Sequence, residues 1–324
     1  MIRLGIIGFG YMGSTLGKLL VESDRLRARA KLIAVCDVAE SARAKARELG
    51  VENLYSDYRD LIDNAGIDAV IIATPPRFHE EQAIYALRRG LYVLLEKPMS
   101  TNLESARRIA EADSGKLMIA FSLYFHKMYR DIYRIVEGLG GPLYMWHVAL
   151  GNKPPYDWIG KKDISGGMIN EHAVHVLFVY MWYGGRIKEV HARTWRVRSD
   201  IEIEDNAALT LVHESGAVSH YFQSWSGGHR YRKWGVQARR GRVTVESYLS
   251  GPYTMSSIDG RIETIEFSEP IELMYINELE SFLDHVERGD RPYPGSAQGL
   301  EVQEVVEAIY IASREGRAVK LPLA

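Results

Sequence analysis

The sequence is poor in cysteine and has no long apolar run. Cys36 is the only cysteine among 324 residues, so an internal disulfide is excluded. No apolar run reaches the roughly 18 residues that a membrane-spanning helix needs, and no transmembrane anchor is expected. The first residues, MIRLGIIGFG, follow a strand pattern rather than the pattern of an export signal. These features predict a cytoplasmic protein.

An excess of charge of one sign is also missing. Lysine and arginine number 40 and the acidic residues 42, which gives a formal net charge of -2. This balance gives no reason to expect a nucleic acid or an anionic membrane as a partner. The contents of 46% hydrophobic and 25% charged residues are typical of a globular protein, and the length predicts two domains.

The first part of the chain alternates short apolar runs with amphipathic stretches. The runs RLGII, KLIAVCD, DAVIIAT, YVLLEK and LMIAF are separated by segments such as AESARAKARELG and EEQAIYALRRG. Short runs rich in Val, Ile and Leu suit strands buried on both faces, joined by helical crossovers. Residues 1–121 are therefore predicted to form an α/β domain with a doubly wound parallel sheet.

The rest of the chain has a different texture. Segments such as KEVHARTWRVR, NAALTLVHES, AVSHYFQSW and RVTVES follow one another across short turns, which predicts an antiparallel sheet. A helix at about 168–183 interrupts this pattern, and another at about 297–315 is expected to pack back on the first domain. Residues 122–324 are predicted to form an α+β domain.

Three glycines lie where the first strand gives way to a helix. Gly8, Gly10 and Gly13 in GIIGFGYMG have the spacing G-x-G-x-x-G. The first glycine permits a tight turn, the second lets the backbone approach a pyrophosphate, and the third allows close helix packing. The pattern indicates a dinucleotide site, although on its own it also occurs in turns that bind nothing.

Asp37 ends the second predicted strand, some two dozen residues beyond the last glycine. A carboxylate there accepts hydrogen bonds from an adenosine ribose and repels a 2'-phosphate, which favours NAD over NADP. Arg43 keeps NADP open. The alternative role for Asp37 is to cap the next helix, and both roles can hold together.

Six motifs together resemble those of the glucose-fructose oxidoreductase and inositol dehydrogenase family over nearly the whole chain. They are GFGYMG (8–13), Asp37, ATPPRFH (73–79), EKPMS (96–100), SGGMINEHAVH (165–175) and EAIYIASREGRAVKLPL. The resemblance implies a Rossmann domain followed by an α+β domain with a large, mostly antiparallel open sheet, whose exposed face makes a homodimer or homotetramer. It also implies NAD(P)-dependent hydride transfer at a carbinol of a sugar, a cyclitol or a related metabolite.

The resemblance implies that Lys97 lies beside the nicotinamide and the substrate hydroxyl, and it suggests a cis peptide before Pro98. Proline fixes the backbone after the lysine. The plainer alternative is a surface lysine in an ordinary turn. Further contacts to the cofactor are implied for Tyr11, Met12, Thr74, Pro75, His79 and Glu96.

The match at GGMINEHAVHVLF implies that Glu171 and His175 are an acid/base pair. Residues four apart share one face of an α-helix. Histidine accepts a proton near neutrality and a carboxylate orients it, so His175 is expected to act as base while Lys97 polarises the substrate oxygen. The alternative for His175 and His172 is a packing role in an apolar helix.

No metal is expected, because His172 and His175 are three apart and do not form H-E-x-x-H. Phe178 stands where the family often has a second acid or amide, and together with Tyr124 it suggests a less hydroxylated substrate. Further candidates for the substrate pocket are Tyr124, Tyr156, Trp158 and His172.

The basic run GGHRYRKW (227–234) would receive a substrate carboxylate or phosphate, but a solvated sheet edge is the favoured interpretation. Two rival functions stay open. One is a glycosidase that keeps NAD bound and oxidises its substrate transiently, and the other is a non-catalytic dinucleotide sensor. The presence of both Lys97 and His175 speaks against the sensor.

Overall fold

A computed structural model describes residues 1–323 of the chain. The chain divides into two compact units. The first comprises residues 1–122 together with 272–301, and the second comprises residues 123–271 together with 302–323. The first unit is therefore discontinuous in sequence.

The sheet of the first unit has six strands, which are Ile2–Ile7 (β1), Ala30–Cys36 (β2), Asn53–Tyr55 (β3), Ala69–Ile72 (β4), Tyr92–Glu96 (β5) and Leu117–Ala120 (β6). All neighbouring strands are parallel, in the order β3-β2-β1-β4-β5-β6. Strands β4, β5 and β6 are buried throughout, as their apolar sequences predict. The order reverses between β1 and β4, and ligands of such sheets bind at that reversal, beyond the carboxyl ends of the strands.

The helices of the first unit are Tyr11–Glu22 (α1), Asp24–Arg27 (α2), Glu40–Glu48 (α3), Tyr58–Asn64 (α4), His79–Arg88 (α5), Leu103–Ala112 (α6), Glu272–Arg288 (α10) and the first turns of Ser296–Glu315 (α11), with a 3-10 turn at Pro76–Phe78. The sequence pattern did not reveal α10. Arg29 anchors this helix through ion pairs with Asp284 and Glu287, each 2.7 Å long.

The sheet of the second unit has nine strands, which are Pro142–Asn152 (β7), Ile187–Trp195 (β8), Asn206–His213 (β9), Val218–Ser224 (β10), Ser226–Ala238 (β11), Gly241–Val245 (β12), Tyr253–Ser257 (β13), Ile262–Ile265 (β14) and Val319–Lys320 (β15). Their order is β14-β13-β12-β11-β7-β10-β9-β8-β15. Only β7 and β10 pair in parallel, so the predicted large, mostly antiparallel sheet is confirmed.

The helical segments of the second unit are Lys127–Gly138 (α7), Lys162–Ser165 (α8), Val174–Gly184 (α9) and the remainder of α11, with 3-10 turns at Ser122–Phe125 and Asp157–Gly160 and a π-helical turn at Ile169–Ala173. Helix α9 packs against β7 and is buried along most of its length, which explains why its sequence is apolar all round. Within residues 1–323, no helix is both long and apolar enough to cross a membrane.

Candidate active site

The turn between β1 and α1 leaves open space above a helix N-terminus. Helix α1 begins at Tyr11, with Met12 next, and its cap residue Gly10 offers no side-chain hydrogen bond to the first amides. A Cβ atom on Gly13 would lie 1.9 Å from the carbonyl oxygen of Gly8, so only glycine fits there. A Cβ atom on Gly10 would meet no atom within 4 Å. This combination of free amides and open space fits the pyrophosphate of a dinucleotide.

Asp37 joins the end of β2 to this turn. Its Oδ2 accepts a hydrogen bond from the amide of Phe9 at 2.7 Å, and its Oδ1 accepts one from the amide of Ala39 at 2.9 Å. Ala39, not Asp37, is the cap residue of α3, so the alternative capping role is wrong. Arg43 donates to Glu40 and to the carbonyl of Asp37, which engages its guanidinium within the protein.

His79 connects the loops that follow β4 and β5. Its ring is wholly buried, with Nδ1 2.9 Å from the carbonyl oxygen of Pro98 and Nε2 2.7 Å from that of Thr74. Burial lowers the pKa of His79 to about 4, although the backbone carbonyls act in the opposite direction. The imidazole is therefore neutral at pH 7. Thr74 is held further by its hydroxyl, which donates to Gln82 at 2.6 Å, and Pro75 follows it in the same loop.

Lys97 stands at the carboxyl end of β5. It is half-buried, it follows the buried Glu96, and the peptide between Lys97 and Pro98 is cis. Glu278 of α10 is wholly enclosed, and neither of its carboxyl oxygens has a hydrogen-bond partner among residues 1–323. Burial, and then the charge of Glu96, raises the pKa of Glu278 well above its ordinary value, which favours the protonated carboxyl.

The segment that carries Glu171, His172 and His175 is not a continuous α-helix. Residues 169–173 form a π-helical turn and α9 begins at Val174. A π-turn holds an extra residue, so the backbone between Glu171 and His175 departs from the regular α-helix that the sequence predicted. Glu171 is buried, and its Oε2 lies 3.9 Å from His172 Nδ1, beyond hydrogen-bond distance. In the described part of the chain, no group of three or more His, Cys, Asp or Glu residues is arranged to hold a metal.

The start of the π-turn is fixed by α11. Gly167 has φ +107°, and a Cβ atom there would lie 2.2 Å from the hydroxyl oxygen of Tyr310. Tyr310 donates to Glu204 at 2.7 Å, and Glu204 accepts the amide of Ile169 at 3.0 Å. The sequence indicated only the glycines, because Tyr310 and Glu204 lie far away along the chain.

Arg232 of β11 reaches the π-turn. Its Nη2 lies 3.3 Å from His172 Nε2, and its guanidinium carbon lies 4.3 Å from the centre of the Tyr248 ring. Trp225 presents its ring edge-on to His172, with ring centres 6.0 Å apart. Burial, and then the charge of Arg232, lowers the pKa of His147 to about 3. The expectation that the basic run is a solvated sheet edge is therefore wrong for Arg232, which is half-buried.

The remaining substrate candidates lie in aromatic groups. Tyr124 packs edge-on against Phe178 and Trp182, with ring centres 6.1 and 4.8 Å apart. Phe178 is only 2% exposed. Tyr156 is exposed and lies nearly parallel to the half-buried Trp158, with ring centres 6.4 Å apart.

Two family profiles match successive parts of the chain. Residues 2–121 match the profile described as "Oxidoreductase family, NAD-binding Rossmann fold", and residues 130–245 match the "GFO/IDH/MocA C-terminal domain". The chain belongs to the glucose-fructose oxidoreductase and inositol dehydrogenase family. This confirms the resemblance inferred from the motifs. This family member is an oxidoreductase whose first domain is an NAD-binding Rossmann domain.

Individual relatives agree over the full length. The chain is 26% identical to the myo-inositol 2-dehydrogenase of Thermotoga maritima, with 99% of this chain and 98% of the relative covered. It is 27% identical to a D-xylose 1-dehydrogenase (NADP(+)) of Haloferax volcanii, with 86% and 88% covered. The fold matches that of a levoglucosan dehydrogenase in complex with NADH, with a TM-score of 0.89 at 21% identity and 100% of both chains covered.

Proposed function

We propose that this family member transfers hydride between NAD and a secondary alcohol or ketone of a sugar, a cyclitol or a related metabolite. The observation that carries the proposal is Lys97, a half-buried cation at the carboxyl end of β5 in the unit that also holds the dinucleotide turn. Relatives named for inositol and xylose support the substrate class. The bound nicotinamide supplies the group that accepts or gives the hydride.

The first unit is proposed to bind the dinucleotide, and the second unit the substrate. The amides at Tyr11 and Met12 would receive the pyrophosphate, and the carboxylate of Asp37 would accept the ribose hydroxyls. Arg43 is occupied by Glu40, which supports NAD over NADP because a 2'-phosphate would need a free cation. Thr74 and Pro75 are assigned to the nicotinamide end.

Three side chains are proposed to handle the proton. Oxidation of a carbinol requires its hydroxyl proton to leave together with the hydride. His175 would accept this proton, because its ordinary pKa of about 6.5 suits neutral pH, and Glu171 would stabilise the charged imidazole. Lys97 would donate a hydrogen bond to the substrate oxygen and so favour its developing negative charge.

Other residues are proposed to act by positioning. His79 is wholly buried and spans the loops that carry Thr74 and Pro98, so we assign it to holding these loops rather than to touching the cofactor. Tyr310 and Glu204 hold the turn that precedes Glu171. Replacement of a positioning residue should alter affinity and rate together.

The open sheet is the proposed contact between subunits. Its outer face exposes Tyr144 and Phe222, next to the half-exposed Trp146, and such an apolar face supports a homodimer or homotetramer. A Tyr144→Glu variant should then lower the mass found by light scattering. The single, buried Cys36 supports a cytoplasmic location, where disulfides are rare.

The test is absorbance at 340 nm while the purified protein meets sugars, cyclitols and sugar acids with NAD⁺ or NADP⁺. A rise with one class of substrate, and a larger kcat/KM with NAD⁺, is expected. If absorbance does not change with any substrate of the panel while fluorescence still detects NADH binding, the protein is not a dehydrogenase for these substrate classes. Net turnover of a glycoside without NADH release would instead support the glycosidase.

A further inference from the structure

A pocket of about 560 Å³ lies beside β11 in the second unit. Arg230 and Arg232 of β11 line it, together with Ser247, Tyr248 and Glu269. This volume lies within the range of roughly 300–1,000 Å³ that small-molecule sites occupy. Through Arg232, which also contacts His172, the pocket reaches the π-turn that carries Glu171.

Arg232 is a half-buried cation without a carboxylate partner. No acidic oxygen within residues 1–323 lies within 4 Å of its guanidinium, whose contacts are to His172 and Tyr248. Other arginines of low exposure are paired, since Arg29 binds two carboxylates of α10 and Arg43 binds Glu40. A partly desolvated guanidinium is stabilised by an anion that pairs with its planar fork. The geometry therefore points to an anion supplied from outside the described chain.

Arg230 adds a second guanidinium to the same wall. It is exposed, and it too makes no ion pair or hydrogen bond with the described residues. The register of β11 against β7 shifts between Ser226 and Tyr231, so Arg230 lies in a stretch of β11 that is not regularly paired with β7.

The pocket also holds groups that suit hydroxyls. The Ser247 hydroxyl oxygen and Glu269 Oε2 are buried and have no hydrogen-bond partner in the 1–323 range. Buried polar atoms without partners are uncommon in folded proteins and call for a ligand or water. Glu246 is already paired with Lys233 at 2.6 Å, which leaves two cations against the single carboxylate of Glu269. A singly charged ligand suits this balance better than a dianionic phosphate, which Glu269 would repel.

We propose that the substrate is a sugar acid, whose carboxylate binds Arg232 and Arg230 and whose hydroxyls bond with Ser247 and Glu269. The proposal rests on the proposed function and names its substrate class. Bidentate pairing of Arg232 with the carboxylate orients the substrate beside the π-turn, since the same guanidinium touches His172.

The test compares matched acidic and neutral sugars. D-glucuronate, D-galacturonate and D-gluconate are assayed at 340 nm beside D-glucose, D-galactose, myo-inositol and glucose 6-phosphate. Binding of D-glucuronate and D-glucose to the protein saturated with NADH is measured separately by calorimetry. The acids should show at least a tenfold larger kcat/KM than their neutral counterparts and than the phosphate, with an advantage that falls as salt rises.

Variants then test the residues. Arg232→Met should raise KM for the sugar acid tenfold or more and weaken its calorimetric affinity equally, with an effect on kcat/KM for a neutral sugar that is at least fivefold smaller and an NADH affinity within threefold of the parent's. Arg232→Lys should recover part of the affinity, because it keeps the charge and loses the fork. The control is Arg242→Met, an exposed arginine of β12 outside the pocket, which should change neither affinity.

The outcomes separate the two proposals. Turnover of neutral sugars in preference to acids, or an equal effect of Arg232→Met on both classes, would overturn the sugar-acid inference while the dehydrogenase stands. Preference for glucose 6-phosphate would also overturn it, in favour of a phosphate ligand. Calorimetric binding of D-glucuronate that depends on Arg232, without any turnover, would support the anion site while contradicting hydride transfer.

Discussion

Asp37 accepts a hydrogen bond from the backbone amide of Phe9 across 2.7 Å, and this bond ties the end of β2 to the glycine turn. The carboxylate therefore stabilises the glycine turn in addition to making the proposed contact with the ribose. Its second oxygen is held by Ala39 at 2.9 Å. Any change at Asp37 acts on both the shape of the turn and the charge at the ribose.

Asp37→Ser should shift cofactor preference toward NADP. Loss of the negative charge removes the repulsion of a 2'-phosphate, so the ratio of kcat/KM for NADP⁺ to that for NAD⁺ should rise at least tenfold. Asp57→Ser is the matched control, because Asp57 also accepts a backbone amide near the sheet, as the cap of α4. An unchanged cofactor ratio in Asp37→Ser would remove the basis for the ribose assignment.

Lys97→Met should abolish most turnover. The substitution keeps the length of the side chain and removes the hydrogen-bond donor, so kcat should fall about a hundredfold or more while the Kd for NADH changes less than threefold. Lys116→Met serves as the control, since Lys116 lies ahead of β6 and donates to the carbonyl of Gly90. Activity within a few-fold of the parent would show that Lys97 has no part in the chemistry.

His175→Gln should lower kcat by roughly 10² to 10⁴ and remove the acidic limb of the pH–rate profile, because glutamine cannot accept the proton. Added imidazole should restore part of the rate. His191→Gln is the comparison, because His191 is an exposed residue of β8 paired with Glu189. A pH–rate profile that keeps its acidic limb in His175→Gln would assign the base to another residue.

Glu278→Gln should make stability less dependent on pH above 5. The raised pKa of Glu278 means that the folded chain keeps a proton which the unfolded chain releases, so stability falls as pH rises above the ordinary glutamate pKa. Thermal melts of the parent from pH 5 to pH 8 should therefore lose more in Tm than those of the variant. The half-buried Glu280→Gln, which loses an ion pair with Arg25, should melt with the parent's pH dependence. Parallel curves for parent and Glu278→Gln would mean that Glu278 is charged.

His126→Leu should reduce the loss of stability that the parent shows as pH falls. Burial lowers the pKa of His126 to about 4. Between about pH 6.5 and 4 the unfolded chain therefore binds a proton at this histidine, whereas the folded chain does not. The parent loses stability as pH falls through this window, by about 3 kcal/mol for this one group. Urea midpoints of the variant should fall less steeply with acid. An identical slope would exclude His126 as a source of the acid sensitivity.

Local sequence patterns were enough to predict the parallel sheet and the glycine turn of the first domain. The apolar runs of β4, β5 and β6 are buried on both faces, so their composition alone distinguishes a parallel sheet. The glycine spacing was also readable, because the close contact at Gly13 tolerates no side chain. Helix α10 was missed, since it joins the first unit only after the chain has built most of the second.

The structure of the second domain could be predicted from its sequence less completely. Its strands alternate as antiparallel strands do, but the π-turn at 169–173 has no sequence signal. The sequence predicted that the basic run 227–234 is a solvated sheet edge, and the first half of the run is indeed exposed to solvent. Arg230 is exposed and lies in the irregularly paired stretch of β11, whereas Arg232 is half-buried and regularly paired with β7, a difference that periodicity does not predict.

The sequence by itself determined the fold class, the family and the types of residue proposed for catalysis, because periodicity and short motifs act over neighbouring residues. Only the tertiary structure decided which distant side chains meet. Arg232 and His172 are 60 positions apart and touch because the register of β11 brings them together. Contacts of that kind depend on strand register and helix packing, which no local pattern encodes.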